Sequence, residues 1–172
     1  LDLGSNLDCR PGQLLGFGAL GSIFAQFYLG VPEPRVGLLS VGAEAGKGNR
    51  QTREAYDLLM GSGLNFIGNV EGYDLPLGRA DVVVCDGFVG NVIMKLIEGI
   101  GQEMALRLKG RLEAVCPPED LEAVTDDIQN MLNGADRSGG GPLFGVHGVA
   151  VVGHGRARAS TVARAIQTAR HC

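Results

Sequence analysis

Hydrophobic positions along this chain alternate between short apolar runs and stripes with helical spacing. Val36-Gly-Leu-Leu-Ser-Val-Gly42, Leu64-Asn-Phe-Ile-Gly68 and Asp81-Val-Val-Val-Cys-Asp86 are the short runs, and each predicts a buried strand. Leu1 to Asn6 reads as the end of an earlier strand. A helix is predicted from Pro11 to about Tyr28, with a face of small residues (Gly16, Gly18, Ala19, Gly21, Ser22) suited to close packing. A second spans Arg50 to Met60, with Ala55, Leu58 and Leu59 as its apolar stripe. After the third run, Asn91 reads as the N-cap of a helix reaching about Val115. Apolar residues keep helical spacing from Ile97 to Val115, Pro117-Pro118 interrupts them, and Leu121, Val124, Ile128 and Leu132 resume it. This predicts a helical hairpin over residues 97–133. A loop from Gly134 to Gly141, a final strand within Leu143 to Val152 and a closing helix, Ser160 to Arg170, complete the chain. That last helix carries Val162, Ala163, Ile166 and Ala169 on one face.

Strands alternating with helices, and strands that are almost continuously apolar, predict an α/β fold: a mostly parallel sheet with helices on both faces, here as a single domain over 1–172. In such a sheet the carboxyl ends of the parallel strands share one edge, where ligands bind. The polar residues expected there are Asn6; Glu44, Lys47, Gly48 and Asn49; Asn69 and Glu71; Asp86, Gly87, Gly90, Asn91 and Lys95; and His154. Five turns distant in sequence would meet at one crevice.

The turn after the third run is the most informative. A carboxylate, two glycines and a capping asparagine lead into a helix, and glycine lets backbone approach a ligand closely. The free N–H groups of a helix start attract small anions. Lys47, glycine-flanked, either holds a phosphate or thioester oxygen as a point charge or is a solvated loop lysine. The loop around it is not a phosphate-binding Walker loop. Asn91 is a cap, a catalytic amide or both. Lys95 faces the crevice or pairs with nearby acids, and Asp86 caps a turn, orients a lysine or holds a metal. His154, between glycines at a strand end, is a general acid–base candidate or a structural histidine. Cys85 should point to the opposite side of its strand from Asp86, into the core. No serine nucleophile elbow and no dinucleotide-binding glycine fingerprint follows a strand.

Composition removes several classes. With 15 basic and 19 acidic residues the net charge is −4, and no basic run is present, so nucleic acid is not an expected partner. The 28 glycines in 172 residues exceed the usual ~7% but sit singly at element ends, as many tight turns require. The four cysteines are widely spaced, which predicts neither a zinc site nor a disulfide framework and suits a reducing cytoplasm. No apolar run approaches the ~20 residues of a membrane-spanning helix. No cofactor or metal is expected. The chain opens without methionine and is expected to be a fragment of a longer protein.

Taken together, the segments Val36 to Gly42 with Glu44 and Lys47-Gly48-Asn49, Asn65 to Gly72, Ala80 to Asn91, Lys95, Glu98-Gly99, Pro142 to Gly145 and His154-Gly155 resemble the bacterial phosphate acyltransferase family, PlsX. The resemblance runs nearly end to end, and Leu1 to Asn6 is similar to a mid-chain motif of that family, so the chain would be its C-terminal half. It implies a fold like that of isocitrate and isopropylmalate dehydrogenases, a homodimer, and transfer of a long acyl chain from acyl carrier protein to inorganic phosphate for phospholipid synthesis. It places Lys47 and Asn91 in the active site and makes the hairpin an element for dimerisation and peripheral membrane contact. Phosphate would lie against Lys47 and the Gly87–Asn91 turn, with Glu44, Asp86 and Lys95 orienting these groups and His154 assisting the leaving thiolate. Two other readings stand: a short-chain phosphate acyltransferase using acyl-CoA, and an inactive dimerising fragment. The Pro117-Pro-Glu-Asp120 tip and Arg156-Ala157 depart from the family pattern.

Overall fold

The computed structural model describes residues 2–132, 139–153, 157 and 159–171, and the chain divides into two compact units, Leu1–Ile93 and Met94–Cys172. In the first unit, β1 (Val36–Leu39) lies between β2 (Phe66–Val70) and β3 (Val82–Val84), and both pairings are parallel. Helices α1 (Pro11–Phe27) and α2 (Arg50–Met60) pack on each other and on the sheet, which makes this an α/β fold as expected. The opening segment, expected as a strand end, is instead a turn closed by hydrogen bonds to Asp2.

Val36, Leu38, Val82 and Val84 point to the helix-covered face, where they join Leu14, Ala25, Ala55 and Leu59 in the core. Burial of a side chain such as Leu38 or Leu59 is worth about 2–3 kcal/mol. Of the small-residue face expected on α1, Gly18 and Gly21 are buried with Leu14 and Ala25 one turn to either side. A Cβ at Gly18 would lie 2.9 Å from Leu59 and 3.5 Å from Val84, so its missing side chain lets α1 meet both α2 and β3.

Two features align the strands. Where β1 and β3 begin, Arg35 forms a fork on Asp81, with Nε to Oδ2 at 2.9 Å and Nη2 to Oδ1 at 3.0 Å. The Arg35 backbone N–H also donates to Asp81 Oδ2 (2.8 Å), and the Arg35 carbonyl accepts from the N–H groups of Asp81 and Val82. In the β1–β2 pairing, Val36 lies beside Phe66 but Gly37 lies beside Gly68, so Ile67 is an extra residue in β2. Side chains alternate along a strand, and one extra residue reverses the alternation beyond it. Phe66 packs edge-on against Tyr56 of α2, and after the irregularity Asn69, rather than its neighbours, shares the face of Leu38.

In the second unit, α3 (Gly87–Leu112) continues from the first, and α4 (Pro118–Leu132) starts at the second of the two prolines. Gly101 of α3 lies against Leu132 of α4, and Ala105 and Leu121 are buried. Leu143 to Val152 does not form one strand. Gly141–Pro142 (β4) and Val151–Val152 (β5) pair antiparallel, and Gly145 and Gly148 turn the chain between them. The closing helix α5 (Ala159–His171) buries Thr161 and Thr168 and exposes Val162 and Ile166, the reverse of the expected face. Its inner face receives backbone: a Cβ at Gly139 would lie 2.8 Å from Ala165 Cα. Residues 134–138 of the expected loop lie outside the described residues.

The hydrogen bonds from the Arg35 side chain and backbone hold the Asp81 carboxyl down to about 2. A depressed carboxyl stabilises the fold above its unfolded value, about 3.9, and loses that contribution as pH falls through the folded value. The stability difference between the wild-type chain and Asp81→Asn, measured by urea unfolding, should therefore be full at pH 6 and shrink steadily from about pH 4 towards pH 2.

Candidate active site

Because all three strands of the first unit are parallel, their carboxyl ends carry the loops that start at Ser40, Glu71 and Cys85. The β1 loop is the most tightly built. The Lys47 N–H donates to the Glu44 carbonyl (3.0 Å), which also accepts from Asn69 Nδ2 (2.8 Å). A Cβ at Gly42 would lie 2.8 Å from Lys47 Cγ and 3.0 Å from Glu44 Oε2, so the lysine stem and the glutamate tip both fold over that glycine. Gly48 has φ of 102°, a left-handed conformation that a side chain would strain, and a Cβ there would lie 2.8 Å from Thr52 and 3.0 Å from Ser40 Oγ. Asn49 then caps α2, its Oδ1 accepting from the N–H (2.8 Å) and the hydroxyl (2.9 Å) of Thr52. Among the described residues the Lys47 ammonium has no hydrogen-bond or ion-pair partner.

At the β3 end the arrangement differs from the expected one. α3 begins at Gly87, and Asp86, not Asn91, is its cap: Asp86 Oδ1 accepts from the Val89 N–H at 2.8 Å. A carboxylate placed directly before the helix satisfies a free N–H and faces the positive end of the helix dipole, a stronger combination than an amide five residues further on. The Gly87 N–H donates to the Asn6 carbonyl (2.7 Å) and the Gly90 N–H to the Asp86 carbonyl (3.0 Å). The helix start is therefore not an open row of donors. Asn91 sits one turn in, half-buried, beside Gly4; its amide makes no hydrogen bond among the described residues.

Asn6 belongs to a turn organised by Asp2, which sequence reasoning passed over. The buried Asp2 carboxylate accepts from the N–H groups of Gly4 (3.0 Å), Ser5 (2.8 Å) and Asn6 (2.9 Å) and from Asn6 Nδ2 (2.8 Å). Burial alone would raise this carboxyl, but the four hydrogen bonds outweigh it and the net shift is downward. An acid followed at short spacing by glycine, serine and asparagine is the signal that could have marked this turn. The turn lies on α3, since a Cβ at Gly90 would come 3.0 Å from the Asp2 carbonyl carbon and closer still to its oxygen.

The Glu71 N–H is held by Asp74 Oδ2 at 2.9 Å. Lys95, in the second unit, pairs with Glu98 at 2.8 Å. His154 lies outside the described residues. Cys85 is half-buried, with Sγ 3.8 Å from the Asp2 carbonyl oxygen, and burial pushes its thiol and that of buried Cys9 upward, so neither is a ready nucleophile. Among the described residues no cluster of three or more His, Cys, Asp and Glu side chains is arranged to hold a metal, and no helix is long and apolar enough to cross a membrane.

Comparison with known proteins agrees with this sequence pattern. The sequence model of the fatty acid synthesis protein family matches residues 1–172. The chain is 47% identical over 176 aligned residues to a protein of Desulforudis audaxviator named phosphate acyltransferase, covering 98% of this chain and 51% of that protein. Proteins of the same name from Desulforamulus reducens and Moorella thermoacetica are 44% and 43% identical, covering 99% and 100% of this chain and 52% of each relative. The chain thus spans about half the length of the curated relatives it matches.

Gly90→Ala should force the Asp2 turn off α3 and destabilise the fold by about 1–3 kcal/mol in chemical denaturation. Asp2→Asn should be destabilising at neutral pH, and the difference from wild type should fade as pH falls through the depressed Asp2 value, because the folded carboxylate is then protonated.

Proposed function

This chain belongs to the fatty acid synthesis protein family, and from that premise we propose that it contributes, within a full-length enzyme, to a phosphate acyltransferase that moves a fatty acyl group from acyl carrier protein to inorganic phosphate. A phosphate oxygen attacks the thioester carbonyl, the C–S bond breaks, and the products are acyl phosphate and the carrier thiol, which takes up a proton. The observation that carries this reading is Lys47: an ammonium without a hydrogen-bond or ion-pair partner among the described residues, on the loop that follows the central strand and is fixed by Asn69, Asn49 and the Gly48 turn. A fixed cation of this kind suits an anionic nucleophile and the oxyanion that develops on the thioester carbonyl. Asn91 supplies an amide with no hydrogen-bond partner among the described residues, on the helix that follows the adjacent strand, and serves as the second oxyanion donor.

The cap at Asp86 alters the expected division of labour. With the Val89 N–H taken up by the capping carboxylate, phosphate is held by side chains rather than by the helix start. Asp86 acts by fixing α3, and Glu44 by its carbonyl, which anchors the Lys47 turn. In the same proposal the enzyme works as a homodimer at the cytoplasmic face of the membrane. Ile100 and Met104 on α3 and Val124 on α4, all more than two-fifths exposed in this chain, are available for subunit or lipid contact.

In the full-length enzyme, Lys47→Ala and Asn91→Ala should each reduce kcat/KM for acyl-phosphate formation by about a hundredfold or more. Near wild-type rates in both variants would remove the assignment. Acyl carrier protein thioesters should outperform acyl-CoA as donors, and the opposite preference would overturn the donor proposed.

A further inference from the structure

Two buried side-chain oxygens lack a hydrogen-bond partner among the described residues, Ser40 Oγ and Asn69 Oδ1. Both side chains belong to the carboxyl ends of neighbouring strands, Ser40 just after β1 and Asn69 in β2. Asn69 is only 5% exposed, and its orientation is set by the 2.8 Å bond from Nδ2 to the Glu44 carbonyl. That bond turns Oδ1 into a buried acceptor that accepts from no donor among the described residues. Buried polar atoms in this condition are rare and unfavourable, whereas an apolar side chain of similar shape carries no such burden. Space-filling alone would therefore favour leucine at this position. The amide makes one useful contact, and it is to the carbonyl that also receives the Lys47 N–H.

We infer that Asn69 is a positioning residue for Lys47. Its amide grips the Glu44 carbonyl from the strand while the Lys47 N–H grips it from the loop, so the lysine leaves a turn anchored to the sheet. The stem then runs over Gly42, where there is no side chain to deflect it. The extra residue at Ile67 is part of the same arrangement, because it brings Asn69 onto the face shared with Leu38. The role rests on the reading of Lys47 given under Proposed function, but the geometric half of it is measurable without catalysis.

Asn69→Leu removes the grip and the unpaired oxygen together. Stability in urea should be retained or raised, while the Lys47 amide should exchange with solvent about tenfold faster, as loss of one buried hydrogen bond implies. In the full-length enzyme kcat should fall on the order of tenfold to a hundredfold, the penalty for a misplaced catalytic group. In a Lys47→Ala background the same substitution should change the rate no further. Should Asn69→Leu fail to fold, Asn69→Asp, whose carboxylate cannot donate to the Glu44 carbonyl, gives the same exchange and rate tests. Ser40→Ala, which removes the other unpaired oxygen and leaves the Glu44 carbonyl alone, should shift neither exchange nor rate beyond about twofold. Unchanged exchange at Lys47 in the Asn69 variants, an equal rate loss with and without Lys47, or the same effects from Ser40→Ala would each overturn the inference. Faster exchange together with full activity in both Asn69→Leu and Lys47→Ala would leave the grip standing and sink the catalytic role of Lys47 instead.

Discussion

Arg35 meets Asp81 where β1 and β3 begin, and the opposite ends of those strands inherit the alignment. The pair is substantially exposed, with 45% of the arginine and 26% of the aspartate side chain accessible, so its value is not that of a large energy term. What it fixes is register. The fork, the backbone N–H of Arg35 and the Arg35 carbonyl leave no second way to lay β3 beside β1. Leu38 then falls beside Val84, and the chain leaves the two strands at Ser40 and Cys85 along one edge. A slip of β3 by one residue would send Val82 and Val84 to the wrong face and move the Lys47 loop away from the turn that bears Asp86.

Much of this was legible in the sequence because it depended on local periodicity. The three apolar runs became the three strands, although β1 and β3 are shorter than their runs and β2 lies two residues further on than its run; Val41 and Gly42 continue beyond β1 as loop. The α1 and α2 helices ended within a residue of expectation, since Pro11 and Asn49 are strong start signals with local causes. The loop around Lys47 was recognisable from its glycines for the same reason. Elements decided by distant contacts were not legible. Asp86 and Asn91 are both good caps by residue type, and only the strand's end at Val84 shows which one stands at the helix start. The inner face of α5 follows the glycine backbone packed against it, which overrode its own apolar stripe.

The candidate site divides along the same line. Asn49, Lys47 and Glu44 were named as candidates from their types and glycine neighbours, but their short-range contacts, Asn49 with Thr52 and Lys47 with Glu44, were not. Asn69 was placed at the right edge, but its contact to the Glu44 carbonyl crosses 25 positions of sequence and could not be read from spacing. Asp2 escaped notice because three of its four donors are backbone N–H groups, which no composition reports. The acids at this edge thus serve mainly as internal ties: Asp2 closes a turn and Asp86 starts a helix. Among the described residues the Lys47 ammonium has no such tie.

The irregularity at Ile67 has a bearing on how relatives of this chain are to be compared. Counting by twos from Phe66 assigns Gly68 and Val70 to the helix-covered face, whereas the pairing puts Asn69 beside Leu38. An alignment that closes or opens a single gap in this strand therefore exchanges inside for outside over its last three residues, with no visible penalty in hydrophobicity. Parity in this strand, more than residue similarity, is the quantity a correct superposition of distant homologues must preserve.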